Sequence, residues 1–170
     1  RSLIETVTGA GKRSSPQRLR EERKGSQGGQ GSQGERRREM AKDPSELLVY
    51  GKARELAKSV YWLTHHFPPE EKFELTKQIR RSASSVPSNL AEGCSRTTQR
   101  DLARFVEIAL GSAMELECQL GMAGDFIEMG IFTIQKLDAE ELPRVVNQVR
   151  EVIKMLNALR RYWQQRQGVE

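Results

Sequence analysis

At 170 residues, 36% of them hydrophobic and 30% charged, the chain is long enough for one domain with a substantial core and too short for two. It contains no apolar run of bilayer-spanning length and opens on no apolar segment, so neither a transmembrane span nor a secretory signal is supported and a soluble, cytoplasmic protein is expected. The formal net charge of +5 resides in residues 1–40, which hold 10 of the 28 Lys and Arg and 5 of the 23 Asp and Glu, whereas residues 41–170 are neutral overall.

Residues 1–40 include Gly25-Ser-Gln-Gly-Gly-Gln-Gly-Ser-Gln-Gly34, a tract too poor in apolar side chains to offset the entropy lost on folding. A disordered basic leader is expected there. The first methionine, Met40, stands directly before the helical pattern, so the leader reads as separable, upstream sequence. Gly9-Ala-Gly-Lys12-Arg-Ser14 fails as a phosphate loop, because it lacks the glycine at position 6 and the hydroxyl directly after the lysine.

The ordered pattern occupies residues 41–170. Asp43-Pro44-Ser-Glu46 supplies an N-cap, a proline at the first helical position and an acid at N3, the signals of a helix start. A first helix is predicted from there to about Thr64, with Leu48, Ala53, Leu56, Val60 and Leu63 on its inward stripe. His65-His66-Phe67-Pro68-Pro69 cannot continue it. The second helix is predicted from Pro69 or Glu70, carrying Phe73, Leu75, Ile79, Ala83, Val86 and Leu90 inwards, with a kink at Pro87 and Gly93 as its C-cap.

Thr98-x-x-Asp101 is a weak capping box for a third helix that starts at Thr97 or Thr98. Its inward stripe reads Leu102, Phe105, Ala109, Leu116 and Ala123, with Ser112 and Gln119 among them. Gly111, Gly121 and Gly124 in its interior suggest close helix approach, and Gly130 ends it. A fourth helix is predicted after Thr133, irregular before Pro143, with Val146, Val149, Ile153, Leu156 and Trp163 inwards to about Gln165. Four helices joined by short loops predict an all-α, antiparallel up-down-up-down four-helix bundle.

Several apolar residues fall outside these stripes: Leu47, Val49 and Tyr61 on the first helix, and Val106, Ile108, Leu110 and Met114 on the third. One wide core face or a second, subunit-binding face would account for them, and the second predicts a homo-oligomer. Catalytic chemistry has little to work with. His65 and His66, the only histidines, sit in a loop, so no Ser-His-Asp set and no Glu-x-x-His metal pair forms. Ser88, Asn89 and Glu92 lie together near Pro87, but Asn89, like Ser112 and Gln119, falls on or beside an inward stripe and reads as polar pairing that fixes helix register. Cys94 and Cys118 are isolated and read as reduced thiols. No enzyme activity, no cofactor and no metal site is expected.

The densest positive charge in the ordered region is Arg80, Arg81, Arg96, Arg100 and Arg104. Arg100 and Arg104 share a helix face. With Ser95, Thr97, Thr98 and the free amides of the third helix they form a candidate phosphate site. Pairing of the arginines with Glu92, Asp101 or Glu107 would instead leave an ordinary solvated surface. No aromatic residue lies in the turn between the second and third helices to stack on bases.

The stretch from Phe67 to Ala83, continuing through Val86-Pro-Ser-Asn-Leu-Ala-Glu-Gly93, resembles the bacterial four-helix-bundle family of proteins encoded within 23S rRNA intervening sequences. Phe105-Val-Glu-Ile-Ala-Leu-Gly-Ser112, Glu115-Leu-Glu-Cys-Gln-Leu120 and Met155-Leu-Asn-Ala-Leu159 carry the same resemblance, which covers about residues 46–162. It implies a homopentameric ring. It also implies kinship with the accessory variability protein of diversity-generating retroelements, which is similar in fold and binds nucleic acid and a reverse transcriptase. Two expectations follow: a non-enzymatic oligomer that binds nucleic acid, RNA in the first place, through clustered arginines, or a scaffold that docks a protein such as a retroelement reverse transcriptase.

Overall fold

A computed structural model describes residues 43–72, 74–131, 133–134 and 138–167; the expectations for the leader and for Phe73 fall outside them. Four α-helices follow in order: α1 (Leu48–His65), α2 (Leu75–Cys94), α3 (Gln99–Glu128) and α4 (Glu141–Gln167). No strand occurs among the described residues. Helix α1 packs on α2 and α4, and α3 packs on the same two, so the four stand at the corners of a square. The bundle is antiparallel: Glu107 meets Gln164 and Glu117 meets Arg150 across α3 and α4, one sequence number rising as the other falls.

The start of the chain is more finely divided than its cap signals imply. Asp43 Oδ1 accepts from the Ser45 amide at 2.8 Å, and Pro44–Glu46 forms a 3-10 turn rather than the first turn of α1. Leu47 is extended between the two, and this offset rotates the helix. Leu47 and Val49 are buried while Leu48 faces outwards, so the stripe that contained Leu48 is corrected by one position. Pro69–Lys72 likewise forms a separate 3-10 turn, and α2 begins only at Leu75. Helix α2 then runs unbroken through Pro87, as one element.

Both ends of α3 were legible. The Asp101 amide donates to Thr98 Oγ1 at 3.1 Å, which caps the N-terminus. At the other end Gly130 adopts φ 69°, its amide donates to the Ile127 carbonyl at 3.0 Å, and the Ile131 amide donates to that of Phe126 at 2.9 Å. This is a Schellman closure, for which glycine is favoured because it has no Cβ to strain in the left-handed region.

The core is continuous along the bundle. Leu56, Val60, Leu63, Ile79, Val86, Leu90, Leu102, Val106, Leu116, Leu120, Val149 and Leu156 are all but fully buried, and each such side chain contributes about 1.5–3 kcal/mol relative to exposure. On α4 the inward row is Val145, Val149, Val152, Leu156, Leu159 and Trp163, with Val146 and Ile153 only half-buried, so the expected row was one residue out of phase at two of its positions. Leu47, Val49, Val106 and Leu110 also belong to this core, leaving Tyr61, Ile108 and Met114 as the true surplus. Pro143 falls at the third position of α4, where the missing N–H has no intrahelical acceptor to lose.

Gly93 has a different role from the expected C-cap. It lies inside α2 and is buried where α2 meets α3. A Cβ there would stand 2.9 Å from Phe105 Cβ and 3.0 Å from Leu102 Cδ1, so only hydrogen allows the two helices to come this close. Gly111 and Gly121, by contrast, have open space around them, and the close approach expected of them is not made among the described residues.

Candidate nucleic-acid interface

The helices divide the five candidate arginines into two groups. Arg80 and Arg81 lie in the first two turns of α2, and Arg96, Arg100 and Arg104 lie at the α2–α3 turn and the start of α3. At 1.5 Å per residue, Arg81 is roughly 20 Å along α2 from its C-terminal end. The groups therefore occupy opposite ends of the bundle.

At the α2–α3 end the arginines differ from one another. Arg96 forms an ion pair with Glu92 one turn back, and its guanidinium lies 5.1 Å from the centre of the Phe105 ring. Its charge is balanced. Arg100 and Arg104 are exposed, share one face of α3 and have no acidic partner among the described residues. The nearest acids are engaged elsewhere: Asp101 accepts from the Thr98 hydroxyl at 2.6 Å, and Glu107 Oε1 accepts from Gln164 Nε2 at 3.5 Å. That last bond brings the C-terminal turns of α4 alongside, with Arg161 exposed and Arg160 half-buried, its Nε finding no partner among the described residues. The sequence-based list of arginines did not include these two; their neighbourhood to Arg104 appears only once α4 is folded back against α3.

The turn itself is largely self-satisfied. Ser95 Oγ donates to the Glu92 carbonyl at 2.7 Å, and Thr98 and Asp101 close the start of α3 on themselves. Of the three hydroxyl residues Thr97 has no hydrogen-bond partner for its side chain among the described residues, which leaves Arg100 and Arg104 rather than a hydroxyl cradle as the anion-facing feature.

At the other end Arg80 is held in place. Its Nε donates to Thr64 Oγ1 at 2.8 Å, that hydroxyl donates to the Val60 carbonyl at 2.8 Å, and the guanidinium lies 5.0 Å from the centre of the Tyr61 ring. Arg81 is exposed with no acidic partner among the described residues.

The polar side chains that invited a catalytic reading are tied into the helices. Ser88 Oγ donates to the Ser84 carbonyl, Asn89 Nδ2 donates to the Ser85 carbonyl at 2.8 Å, and Ser85 Oγ meets Ser112 Oγ at 2.9 Å across α2 and α3. Ser85 and Ser112 thus link two helices, as register-setting polar residues do, while Asn89 reaches that link only through Ser85 of its own helix, and Gln119 bonds to Glu115 of its own helix. Among the described residues no group of three His, Cys, Asp or Glu side chains could hold a metal ion, and no helix is long and apolar enough to cross a membrane.

The family model for 23S rRNA-intervening sequence proteins matches residues 45–158. The chain belongs to this family. All five candidate arginines lie inside the matched segment; Arg160 and Arg161 lie just beyond it. Among solved structures, this chain is similar to a protein with unknown function from the S23 ribosomal protein family of Bacteroides thetaiotaomicron VPI-5482. The two are 26% identical with a TM-score of 0.56, over 66% of this chain and 98% of the other. No curated protein matches it.

Proposed function

We propose that this family member is a non-enzymatic, homo-oligomeric protein that binds RNA through the α3 end of the bundle. The observation that carries the reading is the pair Arg100 and Arg104, exposed, one turn apart and without an acidic partner among the described residues, beside the Arg160–Arg161 turn of α4. Unbalanced guanidinium groups grouped on one end suit phosphate, to which Arg offers a bidentate fork. The family's link to 23S rRNA intervening sequences agrees with RNA as the polyanion. Self-association would repeat the pair around an assembly and raise avidity without any new contact.

Filter binding of RNA at rising salt, on a chain lacking residues 1–40 so that the basic leader contributes nothing, tests this. Affinity is expected to fall with salt, and Arg100→Ala with Arg104→Ala is expected to weaken binding and reduce the slope of log K against log salt by about 1–2. Salt-insensitive association, or an unchanged slope in the double variant, would refute the reading.

A protein-docking scaffold, for example an accessory subunit of a retroelement reverse transcriptase, is the competing reading. Exposed Met114 and Met122 on α3, with Met129 at its C-cap, favour it, since methionine-rich surfaces adapt to partners. It requires partner capture to survive neutralisation of Arg80, Arg81, Arg96, Arg100 and Arg104.

A further inference from the structure

The bundle end opposite Arg100 carries an aromatic surface that the arginine cluster does not use. Trp62 is 58% exposed and Tyr61 48% exposed, adjacent on the last turns of α1. Two large aromatic side chains left side by side in water are unusual for residues that dominate cores, and mark a surface with a partner. At about 100° per residue they stand on the two shoulders of the outward face, with exposed His65 between them. The His66 ring meets Trp62 edge-on at 4.9 Å and His65 at 5.3 Å, and His66 Nδ1 lies 2.9 Å from the Trp62 carbonyl. The Trp62, His66 and His65 rings are therefore braced edge to face against one another, with the Tyr61 ring on the neighbouring shoulder against Arg80.

Fixed positive charge borders it. Arg80 is anchored by the buried Thr64 hydroxyl and by the Tyr61 face, so its orientation is set before any ligand arrives. Arg81 and Lys77, one turn apart on α2, are exposed and, like Arg80, make no ion pair among the described residues; Glu70 and Glu74 nearby pair with none of them. Exposed π faces beside preorganised, unbalanced cations match one ligand chemistry closely. Unpaired bases have faces free to stack, and the phosphates that join them are anionic. A duplex hides its base faces, and a neutral apolar partner would leave the cations unused.

We infer that Trp62 and Tyr61, flanked by Arg80 and Arg81, form a binding site for a short single-stranded segment of nucleic acid, in which bases stack on the rings and the intervening phosphates meet the guanidinium groups. This inference rests on the reading that the protein binds nucleic acid. It adds a second, strand-selective site to the phosphate contacts at Arg100 and Arg104.

The test uses the full chain and a mixed-sequence RNA strand about twelve nucleotides long, offered alone and as its blunt duplex. Trp163 is buried, so fluorescence quenching by a stacked base reports on Trp62. The single strand is expected to quench this emission and to bind more tightly than the duplex. Trp62→Ala should weaken single-strand binding by about tenfold and leave duplex binding unchanged, with Trp62→Phe retaining most of the affinity. Equal binding of strand and duplex, or a Trp62→Ala variant with unaltered single-strand affinity, overturns the site alone. Loss of oligomerisation in Trp62→Ala, measured by light scattering, also overturns it, by making the patch a subunit contact. Absence of RNA binding by the unaltered protein overturns this inference and the proposed function together.

Discussion

Cys94 illustrates what burial does to a single titratable group. Its side chain is enclosed at the end of α2, and the loss of hydration together with the negative charge of Glu46 and Asp43 disfavours the thiolate, so the thiol is pushed up to about 11. Cys118 is exposed on α3. In the unassembled chain a thiol-alkylating reagent at neutral pH should therefore label Cys118 while Cys94 stays unmodified, since only the thiolate reacts. The same shift ties stability to alkaline pH. The unfolded thiol ionises near 9.0 and the folded one at about 11, so the neutral form's contribution is complete below pH 9 and is lost as pH rises towards 11. Urea midpoints of the natural chain and Cys94→Ala should converge between these limits; a constant difference would show that the thiol does not titrate with folding.

Between elements, the α2–α3 contact is the tightest constraint in the bundle, and it is set by an absence of side chain. Gly93→Ala places a methyl against Phe105 Cβ, an atom fixed close to its own backbone and unable to swing aside. Overpacking of this kind costs about 1–3 kcal/mol, against which the helix propensity gained is about 1 kcal/mol. A net loss of stability in chemical denaturation is the expected outcome, and a gain would mean that α2 and α3 can separate freely here. This glycine was visible in the sequence, but its role was not. A glycine near a helix end reads locally as a C-cap, whereas close approach depends on which neighbour folds against it. Features decided by local chemistry were readable without a structure: the Thr98 cap, the Gly130 closure, the Leu75–Leu90 stripe and the number of helices. Features decided by phase or by helix length were not. The extended Leu47 exchanged Leu48 for its neighbours, and twenty-odd ångströms of α2 split five arginines that are clustered in sequence. Trp62 was passed over, although its position off the Leu56, Val60, Leu63 stripe, next to Tyr61, was the available sign that it faces outwards.

At the scale of the whole molecule, the remaining asymmetry is on α3. Opposite its core row lies an exposed face with Ile108, Met114 at 57% and Met122 at 43% exposure, set among Gly111, Cys118 and Gly121. The two glycines meet nothing among the described residues, so another helix can come close there. Glu115 and Asp125 lie on the same face, but no arginine or lysine stands among them from Ile108 to Met122, which distinguishes it from the cation-bordered ring platform on α1. A face of this composition suits a second copy of the chain, and the homopentameric ring implied by the family resemblance gives the assembly its proposed form. Met114→Glu with Met122→Glu places two charges where the single bundle leaves both side chains in water, so the fold should persist with unchanged helical circular dichroism while subunit contact is lost. Sedimentation should show the unaltered chain as a multiple of 19.3 kDa and the double variant at that mass. If RNA affinity arises from repeated Arg100 and Arg104 pairs, the monomeric variant should also bind long RNA more weakly than the assembly, by about a hundredfold, while retaining its affinity for a strand short enough to meet one subunit. An unaltered chain that already sediments at 19.3 kDa would remove both the ring and this avidity.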